Sequence, residues 1–164
     1  MMTSKGSQRS SFALAAALLV VLDWWSKRWF QEVLVSSGPV EVFQGLRFVL
    51  VHNSGAAFGV LASAGGWQRG LLISLAAGVM VYLAWRLWAA RPDESRLNLG
   101  FAMILGGAAG NLIDRVRYGY VVDFIDLYVG NWHWPAFNVA DMAITIGAGL
   151  VILDSIGLRG RNKD

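Results

Sequence analysis

Two aspartates carry the chemistry open to this sequence: Asp123 in Val121-Val122-Asp123-Phe124-Ile125 and Asp141 in Phe137-Asn138-Val139-Ala140-Asp141, both set in membrane-type apolar sequence. An ionised carboxylate at bilayer depth costs several kcal/mol, so acids kept there are as a rule functional. Asp123, bracketed by four apolar residues, needs a partner or a raised pKa. Two carboxylates within reach of one another share a proton and titrate as a pair. One then acts as general base toward water, while the protonated one polarises a carbonyl and later supplies a proton. That is peptide hydrolysis by an aspartic dyad, and its condition is that Asp123 and Asp141 converge.

Other polar residues gather at related spacings. Asn138 and Asp141 lie three apart at an expected helix start, where the dipole favours a carboxylate and where both types also serve as ordinary caps. Asn111, Asp114 and Arg115, at spacings of three and four, share one side of a helix; a packing seam closed by a helix-end ion pair explains Asp114 equally well. Rival chemistries fit less well. With no Cys, and with His52 and His133 isolated, neither a thiol nucleophile nor a zinc site is expected, and no metal or cofactor is implied. Ser26 or Ser54 with Lys27 could form a serine/lysine dyad, but a lysine at a helix end more often snorkels or pairs with an acid such as Asp23.

The elements that must position these groups follow from composition. A 164-residue chain that is 55% hydrophobic and 15% charged, with mean hydropathy +0.48, is too apolar for an ordinary soluble domain. Four apolar segments, about residues 11–30, 70–90, 97–112 and 137–158, are long enough or nearly so to cross about 30 Å of hydrocarbon. The expected fold is an all-α membrane protein: one domain over 1–164, four transmembrane helices, and a small β element over about 40–59. Within that element, alternating apolar residues from Val40 to Val51 with a turn at Gln44-Gly45 read as a hairpin. Lys5, Arg9 and the run Phe12 to Leu22 resemble a secretory signal, but no small-x-small cleavage site follows, so the segment is read as a retained helix. Lys5, Arg9, Arg86, Arg91, Arg96, Arg159, Arg161 and Lys163 fall on the side of the termini, against Lys27, Arg28, Arg47, Arg69, Arg115 and Arg117 opposite. This bias puts both termini in the cytoplasm. Asp23, Asn53, Asn111, Asp114, Arg115, Asp123, Asn138 and Asp141 then all collect at the outer surface. The basic residues flank apolar segments without forming a stripe, which argues against nucleic acid.

Five blocks, Asp23 to Lys27, Asn53-Ser54-Gly55-Ala56-Ala57-Phe58, Gly106 to Arg115, Val121 to Ile125 and Phe137 to Asp141, together resemble the signature blocks of bacterial lipoprotein signal peptidase, signal peptidase II. The resemblance implies a four-helix inner-membrane aspartic peptidase that removes the signal peptide of diacylglyceryl-modified prolipoproteins, cutting before the lipidated cysteine. It puts the catalytic pair on Asp123 and Asp141, and site-lining or supporting roles on Asn53, Gly107, Asn111, Arg115 and Asn138. Asp23 and Lys27 match its first block, and the hairpin matches a periplasmic β-cradle. Implied partners are those substrates, membrane lipid, and inhibitory cyclic lipopeptides of the globomycin type. Gly59 departs from the Ser of many relatives at a non-catalytic position.

A proton-coupled transporter using the acids as a relay is the alternative, but it calls for acids near mid-membrane and an inverted repeat. A lipid-binding scaffold leaves the acid pair without a role. The small face at Gly106 and Gly110 is expected to let a helix approach closely, and a signal peptide arriving laterally from the bilayer is one such helix.

Overall fold

The computed structural model describes residues 5–55, 66–89 and 94–157. Its elements are α1 (Lys5–Ser37), β1 (Val40–Phe43), β2 (Leu46–Asn53), α2 (Trp67–Trp88), α3 (Ser95–Arg117), β3 (Val121–Val129), β4 (Trp132–His133) and α4 (Val139–Ser155). Of the four helices, α1, α2 and α3 are long and apolar enough to cross a membrane; α4 has 17 residues. Their outward faces are apolar. Leu14, Leu18, Val21 and Trp25 on α1, Leu75, Val81 and Trp85 on α2, and Ile146 and Ile152 on α4 are all exposed, as lipid-facing side chains must be.

Helix bounds depart from the sequence expectation for identifiable reasons. α1 runs past both limits of 11–30, because Asp23 and Lys27 turn inward and are paired there, so they do not interrupt the helix. It stops at Gly38, whose φ of 69° suits glycine and whose N–H caps Leu34 O at 3.0 Å, just before Pro39. At 33 residues α1 is about 50 Å long, against about 30 Å of hydrocarbon. Its last turns form a post: Phe30 stacks on Phe124 with ring centroids 4.2 Å apart and meets Phe48 at 4.4 Å. α3 likewise continues beyond 112 to Arg117, and α4 starts at Val139 after an extended Asn138.

The β element is larger than a hairpin. β1 and β2 pair as expected across Gly45, and β3 and β4 extend them into an antiparallel sheet ordered β1-β2-β3-β4. The segment around Asp123, to which the sequence reading assigned no element, is an inner strand of this sheet. Residues 56–59 of the expected β element, the link Arg91-Pro92-Asp93 and the basic tail with Arg159, Arg161 and Lys163 lie outside the described residues.

Glycines set the close approach of the helices, but on two faces of α3, not one. A Cβ on Gly106 would lie 2.8 Å from Ala16 O of α1, and one on Gly110 would collide with the Asp23 carboxylate. On the other face, a Cβ on Gly107 would overlap Ala140 O of α4, and Gly100 and Gly147 face each other. Both faces are filled by the protein's own helices. The expectation of a glycine face open to an incoming substrate helix at Gly106 and Gly110 is corrected accordingly.

Candidate active site

The sheet and α4 meet over the two aspartates. In the β2–β3 ladder, Val51 opposes Asp123 and Asn53 opposes Val121, so Asn53 and Asp123 are diagonal neighbours on one face. Asn53 Nδ2 donates to Asp123 Oδ2 at 3.0 Å, while Asn53 Oδ1 accepts from Gly55 N at 3.1 Å in a local turn. Further along β3, Ile125 exchanges backbone bonds with Phe137, N–H to O at 2.9 and 3.0 Å. That clip delivers the next residue, Asn138, to the flank of the strand.

Asn138 is fully buried and joins the two acids. Its Nδ2 donates to Asp123 Oδ1 at 2.6 Å. Its Oδ1 accepts from Asp141 N at 3.0 Å, and its own N–H donates to Asp141 Oδ2 at 3.2 Å, a reciprocal capping box at the start of α4. Capping and convergence, weighed as alternatives from the sequence, are both present in one residue. From α3, Asn111 Nδ2 donates to Asp141 Oδ1 at 2.8 Å, so both oxygens of Asp141 are held.

A buried ion cluster lies beneath. Lys27 Nζ sits 2.7 Å from Asp23, 2.9 Å from Asp114 and 2.9 Å from Asn111 Oδ1. Each of its two acids also grips a backbone N–H next to an upper aspartate. Asp114 Oδ2 accepts from Val122 N at 3.2 Å, and Asp23 Oδ1 accepts from Ala140 N at 2.9 Å. One lysine thus ties together the backbones that carry Asp123 and Asp141. All three charges are nearly inaccessible, a state that their mutual ion pairing makes tolerable.

Burial acts strongly on Asp123. Burial, reinforced by the negative charge of Asp141, raises the Asp123 pKa from 3.8 to about 7, with the hydrogen bonds from Asn53 and Asn138 opposing the shift. Asp123 is 1% exposed. Near neutral pH it can therefore hold a proton, as general acid chemistry requires. Arg115 lies in the field of Asp141, Asp123 and Asp114, in that order of influence. It does not close an ion pair with Asp114, as the shared helix side had suggested, because Lys27 occupies that place. Its Nη2 instead donates to Gly55 O at 3.1 Å, and its buried Nε has no partner among the described residues.

All ten residues singled out from the sequence belong to this assembly. Asp123, Asp141, Asn53, Asn111 and Asn138 form its upper layer, Asp23, Lys27 and Asp114 its base, Gly107 its seam with α4, and Arg115 its edge. Phe137, whose backbone clip sets the whole junction, was not singled out, since its contribution is made by main-chain atoms and leaves no side-chain signal. For Ser26 the serine/lysine alternative loses its geometry, because Ser26 Oγ donates to Asp23 O at 2.9 Å. Both histidines lie on strands. His52 stacks on Tyr120, and His133 Nδ1 lies 3.0 Å from Asp126, an acid that the sequence had not placed near it.

Comparison with known proteins shows the family. The family profile described as Signal peptidase (SPase) II matches residues 15–157. A lipoprotein signal peptidase of Alteromonas mediterranea is 46% identical over 143 residues, covering 87% of this chain and 79% of the relative. One of Cupriavidus taiwanensis is 49% identical over 158 residues, covering 92% and 86%. Among solved structures, a bacterial membrane enzyme determined by the in meso method at 2.3 Å superposes with TM-score 0.76 at 26% identity, over 94% of this chain and 93% of that one. A profile match across nearly all the described helices, with relatives close to half identical along most of the chain, places this protein in the signal peptidase II family of membrane peptidases.

Proposed function

We propose that the chain is an aspartic endopeptidase that removes the signal peptide of diacylglyceryl-modified prolipoproteins, cleaving before the lipidated cysteine, with Asp123 and Asp141 as the catalytic dyad. The observation that carries the reading is Asn138, which bonds one acid through its side chain and caps the other in the same few ångströms. Asp141 serves as general base and takes a proton from water as the water oxygen attacks the scissile carbonyl. Asp123 donates its proton toward the carbonyl oxygen, giving a neutral tetrahedral diol. As the diol collapses, one of its hydroxyl protons returns to Asp123, the C–N bond breaks, and the proton held by Asp141 passes to the leaving amine of the cysteine. Asn53 and Asn138 orient Asp123, Asn111 orients Asp141, and Arg115 offers positive potential at the rim of the site.

Depth supports the reading as well. If α4 serves as a fourth span, its 17 residues measure about 26 Å, so its first turn lies near the hydrocarbon boundary when its end reaches the other side. The dyad then works where a signal peptide leaves the bilayer, with both termini in the cytoplasm of a bacterial inner membrane and the site toward the periplasm. Acids confined to one end of the bundle do not suit a proton relay across it. A cyclic lipopeptide presenting a hydroxyl to the dyad should compete with substrate.

The test is cleavage of a synthetic lipobox peptide, with and without the diacylglyceryl group, at matched micelle concentration. The lipidated peptide should be cut far faster. Asp123→Asn and Asp141→Asn should each lower turnover by about 10²–10⁴-fold or more while the protein stays folded. Near-normal turnover in either variant overturns the dyad, and equal cleavage of the two peptides overturns lipid recognition.

A further inference from the structure

α1 borders a polar cavity near its outer end. The cavity measures about 440 Å³ and is lined by Trp24, Lys27, Arg28, Glu32, Asp114 and Tyr118. That is within the range of about 300–1,000 Å³ usual for small-ligand sites. Its floor is the buried Lys27–Asp114 pair, 2.9 Å apart. Its rim is a cation and an anion: Arg28 and Glu32 meet through Nε and Oε1 at 3.2 Å, with side chains 63% and 67% exposed. The bond leaves the terminal guanidinium nitrogens and Glu32 Oε2 for another molecule. Arg28 also lies over the Trp24 ring, 5.9 Å from its centroid.

Earlier on the same helix lies a wholly apolar groove, lined by Leu18, Val21, Leu22 and Trp25. Val21 stands three residues before Trp24 and four before Trp25, so groove and cavity meet within one helical turn. A charged cavity beside an apolar groove, on a lipid-facing helix at the level of clustered tryptophans, has the shape of an amphiphile site. The charges select the headgroup. A phosphate suits the guanidinium bidentately. The adjacent Glu32 carboxylate suits a neighbouring ammonium, with the Asp114 carboxylate contributing to the floor. An anionic glycerol headgroup meets those carboxylates with no cation to offer, and a choline has no N–H to donate.

We propose that this cavity and groove bind one zwitterionic phospholipid bearing a primary amine, with its phosphate on Arg28, its ammonium on Glu32 and one acyl chain along Leu18 and Leu22. Val122 also lines the cavity, and its N–H is held by Asp114. The lipid therefore rests against the back of the strand that carries Asp123. The proposal does not rest on the peptidase assignment, because its headgroup partners Arg28 and Glu32 stand outside the dyad assembly, although its floor of Lys27 and Asp114 is shared with the base of that assembly.

The test is native mass spectrometry of the full chain in detergent, titrated with dioleoyl phosphatidylethanolamine, phosphatidylglycerol or phosphatidylcholine. Phosphatidylethanolamine should be retained about tenfold more tightly than either of the others, the equivalent of about 1.4 kcal/mol. Glu32→Gln should erase that preference, and Arg28→Gln should weaken retention of all three lipids; both sites are exposed, and unchanged thermal unfolding verifies the fold. Soluble glycerophosphoethanolamine should compete only at more than about tenfold higher concentration than the lipid. Equal retention of the three lipids, or a preference that survives Glu32→Gln, overturns the headgroup assignment. Competition by glycerophosphoethanolamine at the same concentration as the lipid overturns the acyl groove.

Discussion

Replacing Asp123 by Asn should make the protein less stable in acid and more stable in mild alkali, and the crossing can be worked from the site. Folding raises the Asp123 pKa from 3.8 to about 7. The native state therefore binds this proton more tightly than the unfolded chain does. Below about pH 4 both states are protonated and the group has no effect. As pH rises toward 7 the unfolded chain releases the proton first, and the native state loses about 1.36 kcal/mol per pH unit, or about 4 kcal/mol in all. Above about pH 7 both states are ionised and the full penalty stands.

Asparagine removes that penalty and introduces a different, pH-independent one. Asn53 Nδ2 and Asn138 Nδ2 each donate to one oxygen of Asp123. An amide can accept only one of those bonds, and the other donor faces an NH₂ group at a cost of about 1–3 kcal/mol. The variant should therefore be less stable than the native protein by about 1–3 kcal/mol at pH 4 and more stable by a similar amount above pH 7. With about 2–4 °C per kcal/mol for a chain of this size, the difference in Tm should swing by about 8–16 °C across that window. Thermal unfolding in detergent from pH 4 to 8.5 reads this directly. A difference in Tm that does not change with pH would refute the raised pKa, and with it the view that this acid is held at a cost in stability for the sake of its proton. The same proton should appear in catalysis: the rate should fall as pH rises above about 7, where Asp123 loses its proton.

Three further outcomes follow from the scaffold. Lys27→Met should destabilise the protein by about 3–5 kcal/mol, because it strands Asp23 and Asp114 without their shared cation; chemical denaturation measures it, and native stability would contradict the buried cluster. Gly107→Ala should cost about 1–3 kcal/mol through its overlap with Ala140 O, whereas Gly78→Ala on α2, with open space around its Cβ, should be neutral or stabilising; paired Tm measurements check the contrast. Strong chelators should leave cleavage unchanged, since no three His, Cys, Asp or Glu groups gather among the described residues; loss of activity restored by zinc would overturn the aspartic mechanism.

What the sequence made legible was chemistry at helical spacing. Asp23 with Lys27, Asn111 with Asp114 and Arg115, and Asn138 with Asp141 are each three or four residues apart, so local periodicity alone puts each set on one side of a helix. Partnership between those sets was not legible. Lys27 had two candidate acids and took both, which left Arg115 to the Gly55 carbonyl, a choice decided by how closely Gly110 lets α1 approach α3. The strand carrying Asp123 was hidden for a different reason. Val121, Val122, Phe124 and Asp126 are buried on both faces of β3, so the period-two alternation that marks a half-exposed strand is missing. Its position depends on pairing with β2, some seventy residues away, and on the Phe137 backbone clip. Main-chain bonds leave no mark on residue type, yet here they set the geometry: the ladder brings Asn53 to Asp123, the clip brings Asn138, and the cap of α4 brings Asp141. The two acids meet because three separate backbone arrangements end at one asparagine, and that convergence is a property of the fold, absent from any single segment of the sequence.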